Sequence, residues 1–463
     1  MTATVDLAVV GAGISGLAAA WEGVWRGADV VVLDGAPRAG GVLATSAVGG
    51  VMVDEAADAF LARVPEAVEL CTELGIDGEL VAPATGSAFV WSEDRLRRLP
   101  AEQLLGVPTD LDAVAASGIL SPAGVARARA DLTRPDDRPD GDEAVGALVR
   151  RRLGDEVLDR LVAPLIDGIW AGDCDRLSLR TATPALAAAR DRGPSLMRSA
   201  AAARAEAAGS LGDRPVFLGP RGGMGRLVEA LVERLGDRVR CASPVTAIER
   251  AGRSWRLAPS GVTADAVVVA LPAHAAAPLV SGPAPTVAAV LGGIDHASVA
   301  FVTLVVPRAG VAHDLDGSGF LVPRSAGRLM TACSWASSKW AHLAGDGSSV
   351  VLRAAAGRSD DSRAAAMPDD ALVAAVRADL AELTGLHAAP DAVRVRRWPR
   401  AFPQPRPGHL DAVAGLEAEL ARTAPGLAVT GAWARGVGIP ACIRGGRAAA
   451  AGLFTAAAGH PTA

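Results

Sequence analysis

Three common residue types are absent or nearly absent from this chain of 463 residues. It contains no Tyr and no Asn, and its only Lys is Lys339. All three residues have AT-rich codons, whereas Ala, Gly, Arg and Pro are abundant, so the composition indicates a GC-rich genome. A position at which related proteins carry Tyr or Asn can therefore hold another residue here because of codon usage rather than chemistry.

Cysteine and histidine are also sparse, and neither forms a metal or redox pattern. The five cysteines are Cys71, Cys174, Cys241, Cys333 and Cys442. No two of them form a C-x-x-C pair, so we expect reduced, mostly structural thiols. The seven histidines have none of the spacings of a metal-binding motif. The sequence therefore predicts no metal site.

A net positive charge and long apolar runs are missing too. The net charge is -5 and the pI is about 5.9, which argues against nucleic acid as a partner because phosphate binding requires a basic surface. The longest apolar run, residues 266–280, is interrupted by Pro272 and His274 and is too short to cross a bilayer. The sequence also begins without a basic and then apolar leader. We therefore expect a soluble, cytoplasmic protein without a transmembrane segment.

The chain does contain an α/β pattern at both of its ends. An apolar run at 5–10, a glycine loop, a helix over 17–26 and a buried strand over 30–33 are typical of the start of a doubly wound sheet. A last strand over 427–431 is followed by a Gly-rich turn and a helix over 446–458. Both ends are therefore expected to contribute to one sheet, with other material inserted between them.

The predicted fold class is α/β, with a Rossmann-like dinucleotide-binding domain interleaved with a mixed-sheet substrate domain and a helical insertion. The expected segments are 1–78, 213–275 and 421–463 for the dinucleotide-binding domain, 79–100 and 276–420 for the substrate domain, and 101–212 for the helical insertion. The insertion is predicted because its sequence is rich in Ala, Leu and Arg and is divided by prolines.

The glycine loop has the spacing of a dinucleotide fingerprint. Gly11, Gly13 and Gly16 match G-x-G-x-x-G. In this fingerprint the first glycine permits a tight turn, the second lets the backbone approach a pyrophosphate, and the third lets the helix pack closely on the strand. The N-terminus of the helix attracts the phosphates. Asp34 lies 18 residues after Gly16, at the end of the second strand, where a carboxylate accepts hydrogen bonds from a ribose.

A second pair of glycines favours FAD over a nicotinamide cofactor. Gly40 and Gly41 follow Asp34 closely, and this doublet resembles that of the flavin amine oxidase and desaturase superfamily, where it lines the pyrophosphate and the flavin. The resemblance implies that the dinucleotide-binding domain binds FAD. Arg38, in the same loop, either contacts a phosphate or is a solvated loop residue, and the sequence leaves both interpretations open.

Four longer segments resemble the protoporphyrinogen/coproporphyrinogen oxidase family and together span almost the whole chain. They are 54–63, 163–179, 402–410 and 431–443. The second, APLIDGIWAGDCDRLSL, is similar to the family's P-L-x-x-G-I-Y-A-G-D-x-x-x-L-S. The positions that carry another residue where the family has Tyr or Asn are Trp170, Pro405, Ala432 and Ala434. Ala441 replaces an Asp of the family, and codon usage does not explain that change.

The resemblance also implies which residues bind FAD and substrate. FAD contacts are expected at Gly11, Ala12, Gly13, Ile14, Ser15, Gly16, Asp34, Gly35, Arg38, Gly40, Gly41, Val42, Ala56, Asp58, Val245, Trp398, Gly431, Val437, Gly438 and Ile439. Val245 would meet the adenine through its backbone, and Trp398 either lies near the flavin or packs in the core. Arginine forks suit the propionates of a porphyrinogen. The candidates for this role are Arg63, Arg176 and Arg435, each with a plain surface role as the alternative.

Two histidines invite an acid/base role that the sequence does not favour. His409 belongs to the 402–410 segment and is expected to make a structural hydrogen bond. His274 follows a strand and Pro272 and is expected to lie in a loop. No His/Asp constellation indicates a catalytic acid/base pair, so the catalytic residues are left unassigned.

The resemblance implies an FAD-dependent oxidase of haem biosynthesis. The leading hypothesis is the six-electron oxidation of coproporphyrinogen III to coproporphyrin III, in which the flavin accepts two electrons at a time and O2 reoxidises it to give peroxide. One alternative is protoporphyrinogen IX oxidation. Another is a non-catalytic protein that binds FAD and carries porphyrin. An amine oxidase or a carotene desaturase would share the glycine loop but is not expected to carry segment 163–179.

The expected partners are the porphyrinogen substrate and O2. The helical insertion is similar to a membrane-binding domain, and the sequence is compatible with its resting on a membrane surface or on a partner ferrochelatase. Its Ala-rich face is equally suited to a core or to a dimer surface. The choice between monomer and homodimer therefore stays open.

Overall fold

The computed structural model describes residues 4–211 and 214–458. Its strands are β1 Thr4–Val10, β2 Val30–Leu33, β3 Thr45–Val48, β4 Val51–Asp54, β5 Phe60–Leu61, β6 Leu80–Val81, β7 Phe89–Ser92, β8 Arg95–Arg98, β9 Gln103–Leu104, β10 Val107–Pro108, β11 Phe217–Pro220, β12 Val239–Arg240, β13 Ala247–Ala251, β14 Ser254–Ala258, β15 Val262–Val269, β16 His296–Pro307, β17 Gly319–Leu321, β18 Met330–Trp335, β19 Ser349–Ala356, β20 Ala392–Pro403 and β21 Leu427–Val429.

Helices occur in all parts of the described chain. They are α1 Ile14–Trp25, α2 Glu66–Leu74, α3 Leu111–Ser117, α4 Pro122–Arg129, α5 Val145–Leu153, α6 Asp155–Val157, α7 Ala163–Trp170, α8 Leu179–Ala182, α9 Pro184–Arg192, α10 Leu196–Leu211, α11 Gly225–Leu235, α12 Ala273–Val280, α13 Pro285–Gly292, α14 Ala336–Lys339, α15 Arg363–Ala366, α16 Asp369–Thr384, α17 His409–Thr423, α18 Ala432–Arg435 and α19 Ile439–Ala458. Between residues 4 and 458, with 212 and 213 outside the description, no helix combines the length and the apolar character needed to cross a membrane.

One seven-stranded sheet carries the glycine loop. Its strand order is β12-β2-β1-β15-β14-β13, and β21 also pairs with β15. The strands β12, β2, β1, β15 and β21 run parallel, and their apolar residues are buried on both faces of the sheet, as parallel strands that are covered on both sides require. Strands from the beginning, the middle and the end of the chain therefore meet in one sheet. This confirms the α/β fold class.

A second sheet of seven strands is mixed. Its order is β20-β16-β19-β18-β17-β7-β8, with β17 and β7 parallel and the remaining pairs antiparallel. The chain enters β16 at His296 and leaves β20 at Pro403, and these two residues are paired across the sheet. Two of the crossings between the two large sheets, from β15 to β16 and from β20 to β21, therefore lie side by side. We refer to this sheet as the substrate sheet, after the domain predicted to contain it.

The helices α3 to α10 form a third unit with its own apolar cluster, which includes Val149, Leu158 and Trp170. A buried ion pair of 2.6 Å joins Arg152 to Asp131 inside it. Helices α12, α13 and α17 pack on the sheet that contains β1, although they lie within the 276–420 range assigned to the substrate domain or directly at its edge. The proposed domain boundaries stay predictions.

The last helix is longer than the sequence indicates. A Gly-rich turn was expected up to residue 445, yet α19 begins at Ile439. The expected break rests on Gly445 and Gly446, which are poor helix formers. Gly446 is tolerated inside the helix because α19 touches α1 there: a Cβ atom on Gly446 would lie 2.0 Å from the carbonyl oxygen of Ser15. Close packing therefore outweighs the helix propensity of glycine.

Candidate active site

The glycine loop is closed at two of its glycines and open at the third. Gly11 has a φ of +104°, and a Cβ atom there would lie 2.6 Å from the carbonyl oxygen of Ala270. A Cβ atom on Gly16 would lie 1.8 Å from the carbonyl oxygen of Gly11. At Gly13, by contrast, no described atom lies within 4 Å of the position of a Cβ. The loop is therefore packed against the protein at Gly11 and Gly16 and faces open space at Gly13.

Two helices point their N-termini to the same side of the loop. Helix α1 begins at Ile14, directly after Gly13, and α19 begins at Ile439. The helices are parallel neighbours, because Gly446 meets Ser15 near their beginnings and Phe454 approaches Gly23 further along. Each N-terminus has unpaired N–H groups and positive partial charge. The N-terminus of α1, directly after the open backbone of Gly13, suits the phosphates of a dinucleotide.

Asp34 lies at the end of β2 and is half-buried. Its carboxylate accepts hydrogen bonds from the backbone N–H groups of Ala12 at 2.5 Å and Ala36 at 2.7 Å. Its carbonyl oxygen accepts from the N–H of Ser243 at 2.8 Å, so the stretch leading to Val245 runs beside Asp34. A carboxylate has about four lone-pair sites, which leaves acceptors for ribose hydroxyls. The expected ribose and adenine positions, Asp34 and Val245, are thus neighbours.

The glycine doublet folds back over the first loop. The N–H of Gly40 donates to the carbonyl of Ala12 at 2.7 Å, and a Cβ on Gly41 would lie 3.4 Å from the Cα of Gly13. The guanidinium of Arg38 donates to the carbonyls of Ala39, Gly41 and Leu43 at 3.0 to 3.3 Å. Arg38 therefore braces the doublet, a task that neither of its two interpretations anticipated. Val42 is exposed beside it.

These features fit FAD. The open backbone at Gly13, the N-terminus of α1, the carboxylate of Asp34 and the adjacent doublet are the parts that a dinucleotide requires. We propose that FAD is held by these groups, and the individual contacts stay predictions. Gly35 is exposed next to Pro244, with 3.3 Å between its Cβ position and the Cβ of Pro244.

The C-terminal turn closes the other side of this region. Gly431 has a φ of +151°, and a Cβ there would lie 3.0 Å from the carbonyl oxygen of Leu271 at the end of β15. Val437 packs against the apolar cluster of the helical unit, whereas Gly438 is exposed. Ile439 is buried between α19 and α1. The turn therefore touches both the sheet of β1 and the helical unit.

Residues 54–58 link the doublet to the substrate sheet. The N–H of Glu55 donates to the carbonyl of Ala44 at 2.8 Å. On the other side, the indole N–H of Trp398 donates to the carbonyl of Glu55 at 3.0 Å, and Arg353 donates to the carbonyl of Ala56. Asp58 forms a largely buried ion pair with Lys339, in which the two side chains are 16% and 19% exposed. Trp398, Ala56 and Asp58, all predicted to contact FAD, are thus brought together.

Segment 163–179 contacts the two family-like segments that follow it in the chain. The side-chain amide of Gln404 donates to the carbonyl of Trp170 at 2.8 Å, and the N–H of Ser178 donates to the carbonyl of Pro405 at 2.8 Å. The imidazole Nε2 of His409 donates to the carbonyl of Trp433 at 2.7 Å. The structural hydrogen bond expected of His409 is therefore confirmed. Segments 163–179, 402–410 and 431–443 lie far apart in the sequence but are joined by these hydrogen bonds. We call the surface that they form the wall.

An apolar surface faces outward from this wall. Helix α7 ends at Trp170, and Ala171 follows with a φ of +49°. Gly168 is exposed and Ile169 is 45% exposed, although their neighbours Asp167 and Trp170 are buried. A single exposed apolar residue is ordinary on a protein surface, so the interest of Ile169 comes from its place in segment 163–179. Gly168 and Ile169 are candidate contacts for a flat apolar ligand.

Asp167 was not identified from the sequence, yet it joins segment 163–179 to Arg324, which follows β17. It is buried and pairs with Arg324 at 2.7 Å. Arg324 also pairs with Asp360 at 2.5 Å and donates to the carbonyl of Gly172. Burial raises the pKa of Asp167 to about 6, although the charge of Arg324 opposes this. We call Asp167, Arg324, Arg358 and Asp360 the Asp167 cluster. The segment offered no signal for it, because Asp167 occupies a position without a fixed residue in the family pattern.

The three predicted substrate arginines lie at the surface with different partners. Arg63 is exposed, Arg176 lies 3.7 Å from Asp295, and Arg435 pairs with Glu417 at 2.6 Å. Surface pairs of this kind are weak, so each guanidinium can exchange its partner for a propionate. Their substrate role stays a prediction.

The expected loop position of His274 is wrong. His274 is the second residue of α12, and its ring packs edge-on against His296 with 4.8 Å between the ring centres. Burial and the neighbouring His296 lower the pKa of His274 to about 4. Pro278 argues against a helix because it lacks an N–H. In this short helix it removes only the bond to the carbonyl of His274, four residues earlier.

Comparison with known proteins agrees with this geometry. The model of the family of flavin-containing amine oxidoreductases matches residues 14–453. Coproporphyrinogen III oxidase of Bacillus subtilis is 32% identical over 460 residues, covering 96% of this chain and 97% of the relative. The enzyme of the same name from Mycobacterium bovis is 38% identical over 447 residues, covering 94% of each chain.

Solved structures give the same result. A crystal structure presented as a protoporphyrinogen oxidase of Exiguobacterium sp. 255-15 has a TM-score of 0.85 and 28% identity, and the match covers 98% of this chain and 99% of that one. A putrescine oxidase structure has a TM-score of 0.70 at 17% identity, which shows a shared fold alone. The chain belongs to the family of flavin-containing amine oxidoreductases.

Proposed function

We propose that this protein oxidises coproporphyrinogen III to coproporphyrin III. The observation that carries the proposal is the part of the wall formed by segments 163–179 and 402–410, because both resemble porphyrinogen oxidases rather than flavoproteins at large. The hydrogen bonds from Gln404 to Trp170 and from Ser178 to Pro405 hold the two segments together. The relatives with this activity in their names match the chain over nearly its full length.

The chain's own residues bind and orient the substrate. Gly168 and Ile169 offer a flat apolar surface for the macrocycle, and Arg63, Arg176 and Arg435 are the candidate partners of its propionates. When bound, FAD supplies the acceptor for the hydride equivalents that leave the substrate. Because the redox chemistry belongs to the cofactor, the protein contributes mainly the position of the substrate and the exclusion of other geometries.

Four finer points belong to the same proposal. O2 is the acceptor that completes the cycle with formation of peroxide, and the protein works in the cytoplasm. Ferrochelatase is the proposed partner that receives the product, and the protein is a monomer or a homodimer. Hydrogen peroxide formed in step with porphyrin in air, and the loss of turnover without O2, would support the first of these points.

The decisive experiment compares two porphyrinogens on the purified FAD-loaded protein. We expect kcat/KM, followed by porphyrin fluorescence, to be at least tenfold higher for coproporphyrinogen III than for protoporphyrinogen IX, because its two additional propionates can pair with arginine. A preference for protoporphyrinogen IX would favour the activity given for the Exiguobacterium structure. The absence of porphyrin fluorescence and of flavin bleaching with both substrates would overturn both assignments.

The wall itself can be tested at Ile169. Replacing Ile169 with Arg places a charge on the proposed apolar surface, and we expect KM to rise about tenfold, which is roughly 1.4 kcal/mol of lost binding. Ile169→Val keeps the surface apolar and serves as the matched control. An unchanged KM in Ile169→Arg would remove this surface from the substrate site.

A further inference from the structure

Residues 54–58 lie between the glycine doublet and the substrate sheet, and both sides hold them. On the side of the doublet, the N–H of Glu55 bonds to Ala44. The hydroxyl of Thr45 donates to the carboxyl group of Asp54 at 2.6 Å, and the N–H of Met224 donates to the same oxygen at 2.7 Å. This stretch therefore follows any movement of the loop on which FAD is expected to lie.

The side chains that hold the stretch from the other side come from the substrate sheet. Trp398 of β20 donates to the carbonyl of Glu55, and Arg396 of the same strand forms a 2.8 Å ion pair with the carboxylate of Glu55. Arg353 of β19 donates to the carbonyl of Ala56. Two neighbouring backbone carbonyls are thus bound by side chains about 300 residues away in the sequence.

Asp58 is the most heavily bound residue of the stretch. The ammonium of Lys339 lies 2.8 and 2.9 Å from its two carboxylate oxygens, the indole of Trp340 donates to it at 3.2 Å, and Arg353 lies at 3.5 Å. Burial alone would raise the pKa of Asp58, but the two cations outweigh burial and the pKa is lowered. We call Asp58, Lys339, Trp340 and Arg353 the Asp58 cluster.

The choice of lysine in this cluster is informative. Of the 46 basic residues that are Lys or Arg, 45 are Arg, and the exception is Lys339. In a genome that replaces Lys with Arg almost everywhere, a retained Lys indicates that a guanidinium does not fit. A compact ammonium with three donors can lie between the carboxylate of Asp58 and the ring of Trp340, whose centre is 5.5 Å away.

The cluster is not explained by stability alone. Buried ion pairs contribute little net stability, and apolar residues of similar volume often replace them without loss. Here the pairs fix residues 54–58, in which Glu55 is bonded to Ala44 just after the glycine doublet, and they join this stretch to α14 and to β19 of the substrate sheet. The charges of the Asp58 cluster are therefore better explained by their fixing the position of residues 54–58.

We propose that Lys339 is a positioning residue that, through Asp58, holds residues 54–58 in the conformation required for tight FAD binding. It acts through the backbone of this stretch and does not itself need to touch the cofactor. Trp398 and Arg353 hold the same backbone from the same sheet, so they share this role. This positioning role requires the ammonium of Lys339, and a guanidinium at the same position does not replace it.

The test measures FAD affinity directly, after bound FAD has been removed and titrated back under flavin fluorescence. We expect the Kd for FAD to rise at least tenfold in Lys339→Met and at least fivefold in Lys339→Arg. Arg328→Lys is the matched control, since Arg328 pairs with Glu382 near the surface, and its Kd should stay within twofold of the unmodified protein. A folded Lys339→Met protein with an unchanged Kd would overturn the proposal.

A second measurement does not depend on any variant. With a single Lys in the chain, ¹³Cε-labelled lysine gives one side-chain NMR signal, and that signal belongs to Lys339. We expect it to shift when FAD is added to the stripped protein, and an unchanged signal at saturating FAD would overturn the proposal even if Lys339→Met does not fold. Neither experiment uses a porphyrinogen, so a failure here leaves the proposed reaction untouched.

Discussion

The Asp58 cluster and the Asp167 cluster each place a largely buried aspartate against cations of the 276–420 segment, yet the pKa values of the two carboxyl groups shift in opposite directions. Asp58 faces Lys339 and Arg353, and its pKa is lowered. Asp167 faces Arg324, which it shares with Asp360 and with the carbonyl of Gly172, and its pKa is raised to about 6. Burial raises the pKa at both sites. At Asp58 the cations Lys339 and Arg353 and the hydrogen bond from Trp340 outweigh burial, whereas at Asp167 the cations Arg324 and Arg358 do not.

This difference predicts opposite dependences on pH. Asp58 has a folded-state pKa below its ordinary value, so its contribution to stability is present at neutral pH and is lost as the pH falls through acidic values. Asp167 has a folded-state pKa above its ordinary value, so the folded state is favoured at low pH and stability is lost as the pH rises from about 4 to about 6. Acid therefore weakens the contribution of the Asp58 cluster to stability and strengthens that of the Asp167 cluster.

The largest expected effect separates the two aspartates at neutral pH. Asp58→Asn removes the charge that compensates Lys339 and Arg353, and we expect it to destabilise the protein by about 3–5 kcal/mol. Asp167→Asn leaves Arg324 paired with Asp360 and removes a carboxylate whose ionisation burial opposes, so at pH 7 we expect no loss of stability or a gain of up to about 3 kcal/mol. Urea unfolding of both FAD-loaded variants at pH 7 measures the two changes, and equal losses would contradict the comparison.

A smaller effect concerns the pH dependence of Asp167. A shift of its pKa from 3.8 to about 6 corresponds to roughly 3 kcal/mol of stability lost between acidic and neutral pH. The asparagine side chain in Asp167→Asn does not titrate. The variant should therefore lose less unfolding free energy than the unmodified protein when the pH rises from 4 to 7. Asp54, whose pKa burial also raises to about 6, keeps its own share in that variant. An identical pH profile would show that Asp167 is ionised throughout.

The smallest effect tests whether the clusters are independent. Strand β19 carries Arg353 of the Asp58 cluster, and Arg358 of the Asp167 cluster follows its end. No described side chain belongs to both clusters, and five residues of extended chain span roughly 16 Å. We expect the changes in the free energy of unfolding caused by Asp58→Asn and by Asp167→Asn to add within about 0.5 kcal/mol in the double variant. A larger coupling energy would mean that β19 transmits strain between them.

What could be predicted from the sequence was local in the chain. The glycine spacing and the second strand follow from turn chemistry and periodicity, and β2 spans the 30–33 range expected for it. Segment 163–179 could be assigned by resemblance because its residues are contiguous. Both kinds of pattern can be recognised without knowing which distant residues they contact in the folded protein.

What could not be predicted depends on contacts between distant residues. Arg324 lies 157 residues after Asp167, and Lys339 lies 281 residues after Asp58, so no local pattern connects either pair. With 45 Arg in the chain, abundance also hides which guanidinium meets which acid. The early start of α19 was missed for the same reason, because only its contact with Ser15 explains Gly446.

The pairing of α1 with α19 also sets an order of events in the cell. The glycine loop leaves the ribosome long before α19, the helix that lies beside α1, is made. At typical rates of bacterial synthesis the interval between Gly16 and Ile439 is roughly 20–90 s. During that time β1 can pair with β2 and then with β15, but α1 lacks its parallel neighbour α19. The nascent chain is therefore expected to acquire its cofactor only after α19 has been made.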